Sequence, residues 1–183
     1  MTYADYLAFE EASELRHEFV HGEVYAMTGG TSRHAAIALN IGAALKHALR
    51  GKPCRPTSGD QRIRVPATGA AFYADVIVVC DHYEHADDDP NGLTNPTLIV
   101  EVLSPSTEAH DRGTKFEHYR RLPSLQHYLL VSADEPLVEH RRRNARGWQL
   151  SHHTEGRVEL DALGVGLELE DVYDDLAIVG GGS

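Results

Sequence analysis

A chain of 183 residues with 42% hydrophobic content is long enough to bury a core of ordinary size and needs no second domain to do so. Its formal charge of −11 argues against unassisted binding of a large polyanion, because phosphate neutralisation by Lys and Arg supplies most nonspecific nucleic-acid affinity; a nucleic-acid role must rest on a local patch. No apolar run reaches membrane-spanning length, residues 1–11 are acidic and aromatic, and Cys54 and Cys80 have no metal-type spacing, so the expectation is a reduced cytoplasmic protein with no disulfide and no membrane partner.

Residues 3–14 have helix-forming composition, and 16–27 read as a hairpin turned by His21-Gly22. That turn sets Phe19 and Val20 against Val24 and Glu23, and Glu18 across from Tyr25. A loop over 28–32 ends in a hydroxyl residue able to cap a helix from about 33 to 50, stopped by Gly51. Ile37, Ile41, Leu45 and Ala48 form its apolar stripe, with His34 one turn back on the same face, where a packing role competes with a ligand role. Residues 58–65 read as one strand with alternating faces, 67–71 as a turn, and 72–80 as a doubly apolar strand. The acidic segment 81–92, with Asp87-Asp88-Asp89, reads as a solvated loop without EF-hand spacing. After the strand 97–104, a helix over about 108–121 points Phe116, Tyr119 and Leu122 inward, and 125–131 form a further strand. Segments 137–140 and 148–152 flank a basic tip at 141–147. Short strands at 158–160 and 167–169 and a turn at 171–176 end a domain spanning 1–179, with 180–183 expected to be disordered. The twelve histidines show no zinc spacing.

Residues 97–104, Thr-Leu-Ile-Val-Glu-Val-Leu-Ser, organise the chain. The run is apolar on both faces, the pattern of a central strand, yet its middle residue is Glu101. A carboxylate taken out of water needs neutralisation, a hydrogen-bonding partner or a metal. Asp75 lies near the start of the other doubly apolar run, 72–80. Two buried acids on neighbouring strands repel unless a cation separates them, and a hard divalent ion with oxygen ligands removes the repulsion. Backbone capping or an arginine partner is the competing account.

The order helix, strand, Asp75 strand, Glu101 strand, helix, strand resembles the PD-(D/E)XK nuclease superfamily. Residues 16–23, Ala74-Asp75-Val76-Ile77-Val78, residues 100–107, Asp111 with Lys115 and Tyr119, and residues 127–131 look more closely like the Uma-two family of restriction-endonuclease-like proteins, over about residues 3–176. The resemblance implies an α+β fold with a mixed central sheet flanked by helices, and a Mg²⁺- or Mn²⁺-dependent phosphodiesterase acting on DNA. Asp75 and Glu101 would be catalytic and metal-binding, with Glu18 or His34 at the accessory metal position. Ala74 replaces the motif's proline, and Leu103 stands where it has its lysine. Lys115 on the following helix is the candidate catalytic replacement, although Asp111 and Lys115 also have ordinary i,i+4 ion-pair spacing. Arg112, Arg141, Arg142 and Arg143 are the candidate nucleic-acid contacts. Relatives and exposed terminal strands point to a homodimer. Two rival readings stand beside the nuclease: a binding or assembly module with a residual site, and a hydrolase of a smaller phosphorylated substrate.

Overall fold

The computed structural model describes residues 1–27 and 29–179. Helix α1 (Tyr3–Ala12) starts at a reciprocal cap between Thr2 and Asp5. Strands β1 (His17–Val20) and β2 (Glu23–Ala26) pair in the expected register, Glu18 opposite Tyr25. Their two-residue turn places both His21 and Gly22 at positive φ, 52° and 83°, as a tight hairpin of this hand requires. Helix α2 (Ser32–Ala48) begins at Thr31, whose hydroxyl accepts from the His34 N–H, and buries Ile37, Ile41 and Leu45.

Two six-stranded sheets carry the rest. One has β12 (Gly147–His153), β11 (Val138–Asn144), β10 (His127–Ser132), β9 (Leu98–Leu103), β6 (Val76–Cys80) and β3 (Cys54–Ser58), in that order. The β9 and β10 pair is parallel and its other neighbours are antiparallel. A parallel pair needs a crossover, and the helical segment between β9 and β10 supplies it. The other sheet has β2, β1, β5 (Ala70–Tyr73), β4 (Arg62–Val65), β8 (Asp89–Leu93) and β7 (His85–Ala86). Alternation along β9 sends Leu98, Val100 and Val102 into a core with α2, and Ile99 and Leu103 into a second core with Ile63, Phe72, Phe116 and Tyr119. The α2 core also takes in the hairpin of β13 (Arg157–Leu160) and β14 (Val165–Glu168) and the short helix α5 (Leu169–Val172). β9, covered on both faces, is the doubly buried strand that its sequence describes.

Several expectations are corrected. Residues 58–65 are not one strand: Gly59, Asp60 and Gln61 form a turn that sends β3 and β4 into different sheets. The 72–80 run likewise breaks at Ala74 and Asp75, so Asp75 stands at the entry of β6. Cys54 and Cys80 form a disulfide, because the antiparallel register of β3 and β6 sets them opposite each other. The acidic loop is not wholly solvated. Asp89 is buried and accepts both a two-pronged contact from Arg62, at 2.7 and 2.8 Å, and the Tyr3 hydroxyl at 2.7 Å, while Asp88 pairs with Arg64 at 2.8 Å. The arginines at 141–143 lie within β11 rather than in a loop, leaving Asn144 to Gly147 as the turn. The helix after β9 is a composite of α3 (Glu108–His110), a π-helical turn (Asp111–Lys115) and α4 (Phe116–Tyr119). Tyr128 of β10 explains the wide turn: its hydroxyl donates to the Asp111 carbonyl at 2.8 Å and competes with the helical ladder there. The expected disorder at 180–183 lies outside the described residues.

Candidate active site

The ladder between β6 and β9 ends at the Val76 and Val100 pair. One residue earlier the chain presents Asp75, whose Oδ2 accepts the Val102 N–H at 2.6 Å in place of a strand partner. Glu101 follows Val100 on the β9 side. The two acids thus flank the point where this ladder ends, Asp75 just before β6 and Glu101 inside β9. Glu101 has the same facing as Ile99 and Leu103, toward the helix after β9, and there it meets Lys115.

Lys115 is the hub. Its Nζ lies 2.9 Å from Glu18 Oε1, 3.2 Å from Glu101 Oε1 and 3.2 Å from Asp111 Oδ1, and donates to the Tyr73 carbonyl at 3.1 Å. None of these four charged residues is more than 6% exposed. The Tyr119 hydroxyl adds a second donor to Glu101 Oε1 at 3.2 Å. Burial works against the Lys115 charge, but Glu101, Glu18 and Asp111 outweigh it and hold the ammonium well above the usual lysine range. For Glu101 the balance goes the other way. Burial, helped by Asp111, Asp75 and Glu18, pushes its carboxyl well above the ordinary range despite Lys115. Burial also pulls Glu18 upward, but Lys115 and His110 outweigh that and lower it. The i,i+4 spacing of Asp111 and Lys115 is a real ion pair, as the simplest sequence account has it, and Lys115 reaches Glu101 as well.

Two histidines flank the cluster. His34 Nε2 is 2.8 Å from Asp75 Oδ1, and this hydrogen bond lifts the imidazole above its usual range against the pull of burial. His110 Nε2 is 3.0 Å from Glu18 Oε2. Glu18, His110, Asp111 and Lys115 line a cavity of about 460 Å³ roofed by residues of β2, while His34 and Asp75 line a separate groove against α2 and β3. Sequence reasoning missed His110: one histidine among twelve carries no signal until the fold sets it against β1.

The four arginines expected to meet nucleic acid have intramolecular roles. Arg112 is paired with Glu108 and Glu139, Arg142 with Asp161 at 2.6 Å, and Arg143 donates to the carbonyls of Leu125, Leu122 and Arg120 at 2.7, 2.8 and 3.0 Å. Arg141 lies over the Phe116 ring at 4.2 Å and, alone of the four, has neither an ion pair nor a side-chain hydrogen bond among the described residues.

The donor set suits a hard divalent cation. Asp75 and Glu101 offer carboxylate oxygens with lone pairs beyond those already used, and three carboxylates around one ammonium leave excess negative charge. No group of three or more His, Cys, Asp or Glu side chains forms a ready cage among the described residues. That is no obstacle for magnesium, which is held by one or two carboxylates and keeps several waters.

Two sheets around an acid at the entry of β6 and a second inside β9, with a lysine brought in from the next helix, define an α+β protein of nuclease-like fold. The chain belongs to the Uma2 family, "putative restriction endonuclease", whose model matches residues 3–172. It is 36% identical over 175 residues to the uncharacterised protein slr1290 of Synechocystis sp. PCC 6803, covering 94% of this chain and 91% of that protein. A second Synechocystis protein, the uncharacterised sll1609, is 32% identical over 152 residues, 82% of this chain and 86% of its own length. The crystal structure of a putative nuclease belonging to DUF820 from Anabaena variabilis superposes with a TM-score of 0.75 at 16% identity, covering 94% of this chain and 97% of that one. That likeness establishes the fold.

Proposed function

We propose that this protein is a metal-dependent endonuclease that hydrolyses phosphodiester bonds in DNA, with Mg²⁺ or Mn²⁺ held by Asp75 and Glu101. The observation that carries the reading is the position of Lys115 Nζ, 3.2 Å from Glu101, which supplies from the helix the positive charge missing at Leu103. When bound, the ion would lower the pKa of a ligated water and draw off charge developing on the phosphate. Lys115, held charged, orients Glu101 and offsets negative charge at the cavity floor; an ammonium so stabilised is no general base near neutral pH. Glu18, expected as an accessory ligand, instead fixes Lys115 and His110 through its two oxygens, and His34 orients Asp75. Arg141 is the remaining candidate among the four arginines for contact with DNA.

A substrate inside the cell would put the protein in the cytoplasm. The disulfide takes away the reduced-cysteine argument for that location, and no helix among the described residues is long and apolar enough to cross a membrane. A supercoiled plasmid incubated with Mg²⁺ or Mn²⁺ tests the proposal: wild type should nick it, and Asp75→Asn or Glu101→Gln should cut at least about a hundredfold more slowly while remaining folded. The competing reading, a binding module with a residual site, draws on the lack of a three-ligand cage among the described residues. It takes over if wild type cuts no DNA with either ion.

A further inference from the structure

The cavity beside Lys115 has a chemistry that phosphate binding alone does not call for. Its rim carries Tyr25 and Met27, 47% and 37% exposed, and its walls add the hydroxyl residues Ser106, Thr107 and Thr114. A phosphate would find no free ammonium there, since Lys115 is already shared among Glu18, Glu101 and Asp111. An aromatic face, a thioether and neutral hydroxyls suit a flat, uncharged ring with polar edges.

The position of Tyr25 follows from the hairpin. It stands directly opposite Glu18 in the β1 and β2 ladder, so both side chains leave the same face with Cβ atoms about 5 Å apart. Its hydroxyl donates to Glu23 Oε2 at 2.5 Å, which restrains the ring. From Glu18 the contacts run to Lys115 at 2.9 Å and on to Glu101 at 3.2 Å. The ring therefore borders the acidic centre. A cavity of about 460 Å³ is the size of a small-molecule site and far too small for a duplex.

We propose that this cavity is a nucleobase pocket, in which Tyr25 stacks on an unpaired base next to the scissile phosphate, so that the substrate is DNA with an unpaired nucleotide at the cut. The inference rests on the endonuclease reading and narrows it. Within a duplex both faces of a base are stacked and its edge is paired, so a base reaches a side pocket only from a single strand or after leaving the helix. Stacking on an aromatic ring is worth enough per base to be read as roughly a tenfold change in affinity.

The test is fluorescence anisotropy in EDTA with a short labelled single-stranded oligodeoxynucleotide and the blunt duplex of the same sequence. The single strand should bind more tightly; Tyr25→Ala should weaken it about tenfold with duplex binding unchanged, and Tyr25→Phe should keep it, because the ring face remains. A 2-aminopurine base in the single strand should be quenched by wild type and not by Tyr25→Ala. Met27→Ala, which also removes part of the rim, serves if Tyr25→Ala fails to give a normal melting curve, and should weaken single-strand binding in the same direction. Equal affinity for the two forms, or single-strand binding and quenching indifferent to Tyr25 and Met27, overturns the pocket. Because these assays contain no metal, the two proposals fail separately. Tyr25-dependent binding without Mg²⁺- or Mn²⁺-dependent cleavage sinks the endonuclease alone, and cleavage that ignores the rim variants sinks the pocket alone.

Discussion

At Lys115 one ammonium is surrounded by Glu18, Glu101 and Asp111, so the residue serves the stability of the chain as much as its site. Lys115→Met keeps the stem and discards the charge, leaving the buried carboxyl cluster of Glu18, Glu101 and Asp111 without its ammonium. Breaking a buried pair in this way costs about 3–5 kcal/mol, which urea denaturation at neutral pH will show as a lower midpoint. Adding Glu101→Gln should restore little of that loss, since burial already favours the uncharged form of Glu101, and the two changes, made on residues in contact, will not be additive. Under the proposed endonuclease reading, Glu101→Gln by itself should slow cleavage at least about a hundredfold at little cost in stability, because burial already favours the uncharged form of this carboxyl. The same reasoning applies to a histidine pair away from the site. His127 Nδ1 and His140 Nε2 are 2.9 Å apart, and burial pushes both imidazoles down to about 4, with Asp161, Arg142 and His153 as their charged or titratable neighbours. Their folded pKa values lie below the unfolded value of about 6.5, so the unfolded chain binds more protons between those limits. Stability should be full above about pH 6.5 and fall as the pH drops toward 4. Urea midpoints across that window check the sign, and His140→Gln, which does not titrate, should flatten the acid limb.

The element that positions Lys115 is the π-helical turn, and that turn depends on a tyrosine from a neighbouring strand. Tyr128→Phe removes the hydroxyl that satisfies the buried Asp111 carbonyl. Leaving such a group unpaired costs about 1–3 kcal/mol, to be read from thermal melting. Lys115 would also lose its fixed reach to Glu101, so cleavage should fall further than stability alone accounts for. At the opposite sheet edge, β3 has β6 as its only ladder partner among the described residues, and the disulfide between Cys54 and Cys80 closes a loop with a sequence separation of 26. A loop of that length restricts the unfolded chain by about 3–4 kcal/mol. Dithiothreitol should therefore lower the melting temperature, and the untreated protein should show no thiol to Ellman's reagent, whereas two titrating thiols in untreated protein would count against the bond.

On the scale of the whole molecule, both cores meet on β9, with α2 and the C-terminal hairpin on one face and the second sheet on the other. We expect residues 1–179 to unfold in one cooperative transition, because neither core closes without that strand. Separate transitions by near- and far-UV circular dichroism would show that the layers fold apart. Among the described residues each large sheet also ends in strands with an open side: β12 and β3 in one, β2 and β7 in the other. Such edges invite pairing with a second copy, and a homodimer is the expected assembly. Light scattering should then give about twice the 20.2 kDa of the chain, and a mass near that of one chain at micromolar concentration would refute it.

Much of this architecture can be read from the chain without coordinates, because it rests on local patterns. The His21-Gly22 turn dictates the register that sets Glu18 opposite Tyr25; the 3.6-residue stripe of Ile37, Ile41 and Leu45 dictates which face of α2 is buried; and the doubly apolar run around Glu101 dictates a covered strand. A glutamate inside that run and an aspartate near the start of another also mark the candidate site. Partner identity was not legible, because it depends on groups distant in sequence. Asp88 and Asp89 read as solvated until β4 brings Arg64 and Arg62 against them. The arginines of 141–143 read as a basic tip until β11 extends through them, and Cys54 and Cys80 read as separate thiols until two strands pair. Lys115 likewise became the hub of three carboxylates only when β1, β9 and its own helix met. Local periodicity specifies which side chains are buried; the burial of a charge beside a particular partner is decided by long-range packing, where the cost of desolvating each group leaves few arrangements open.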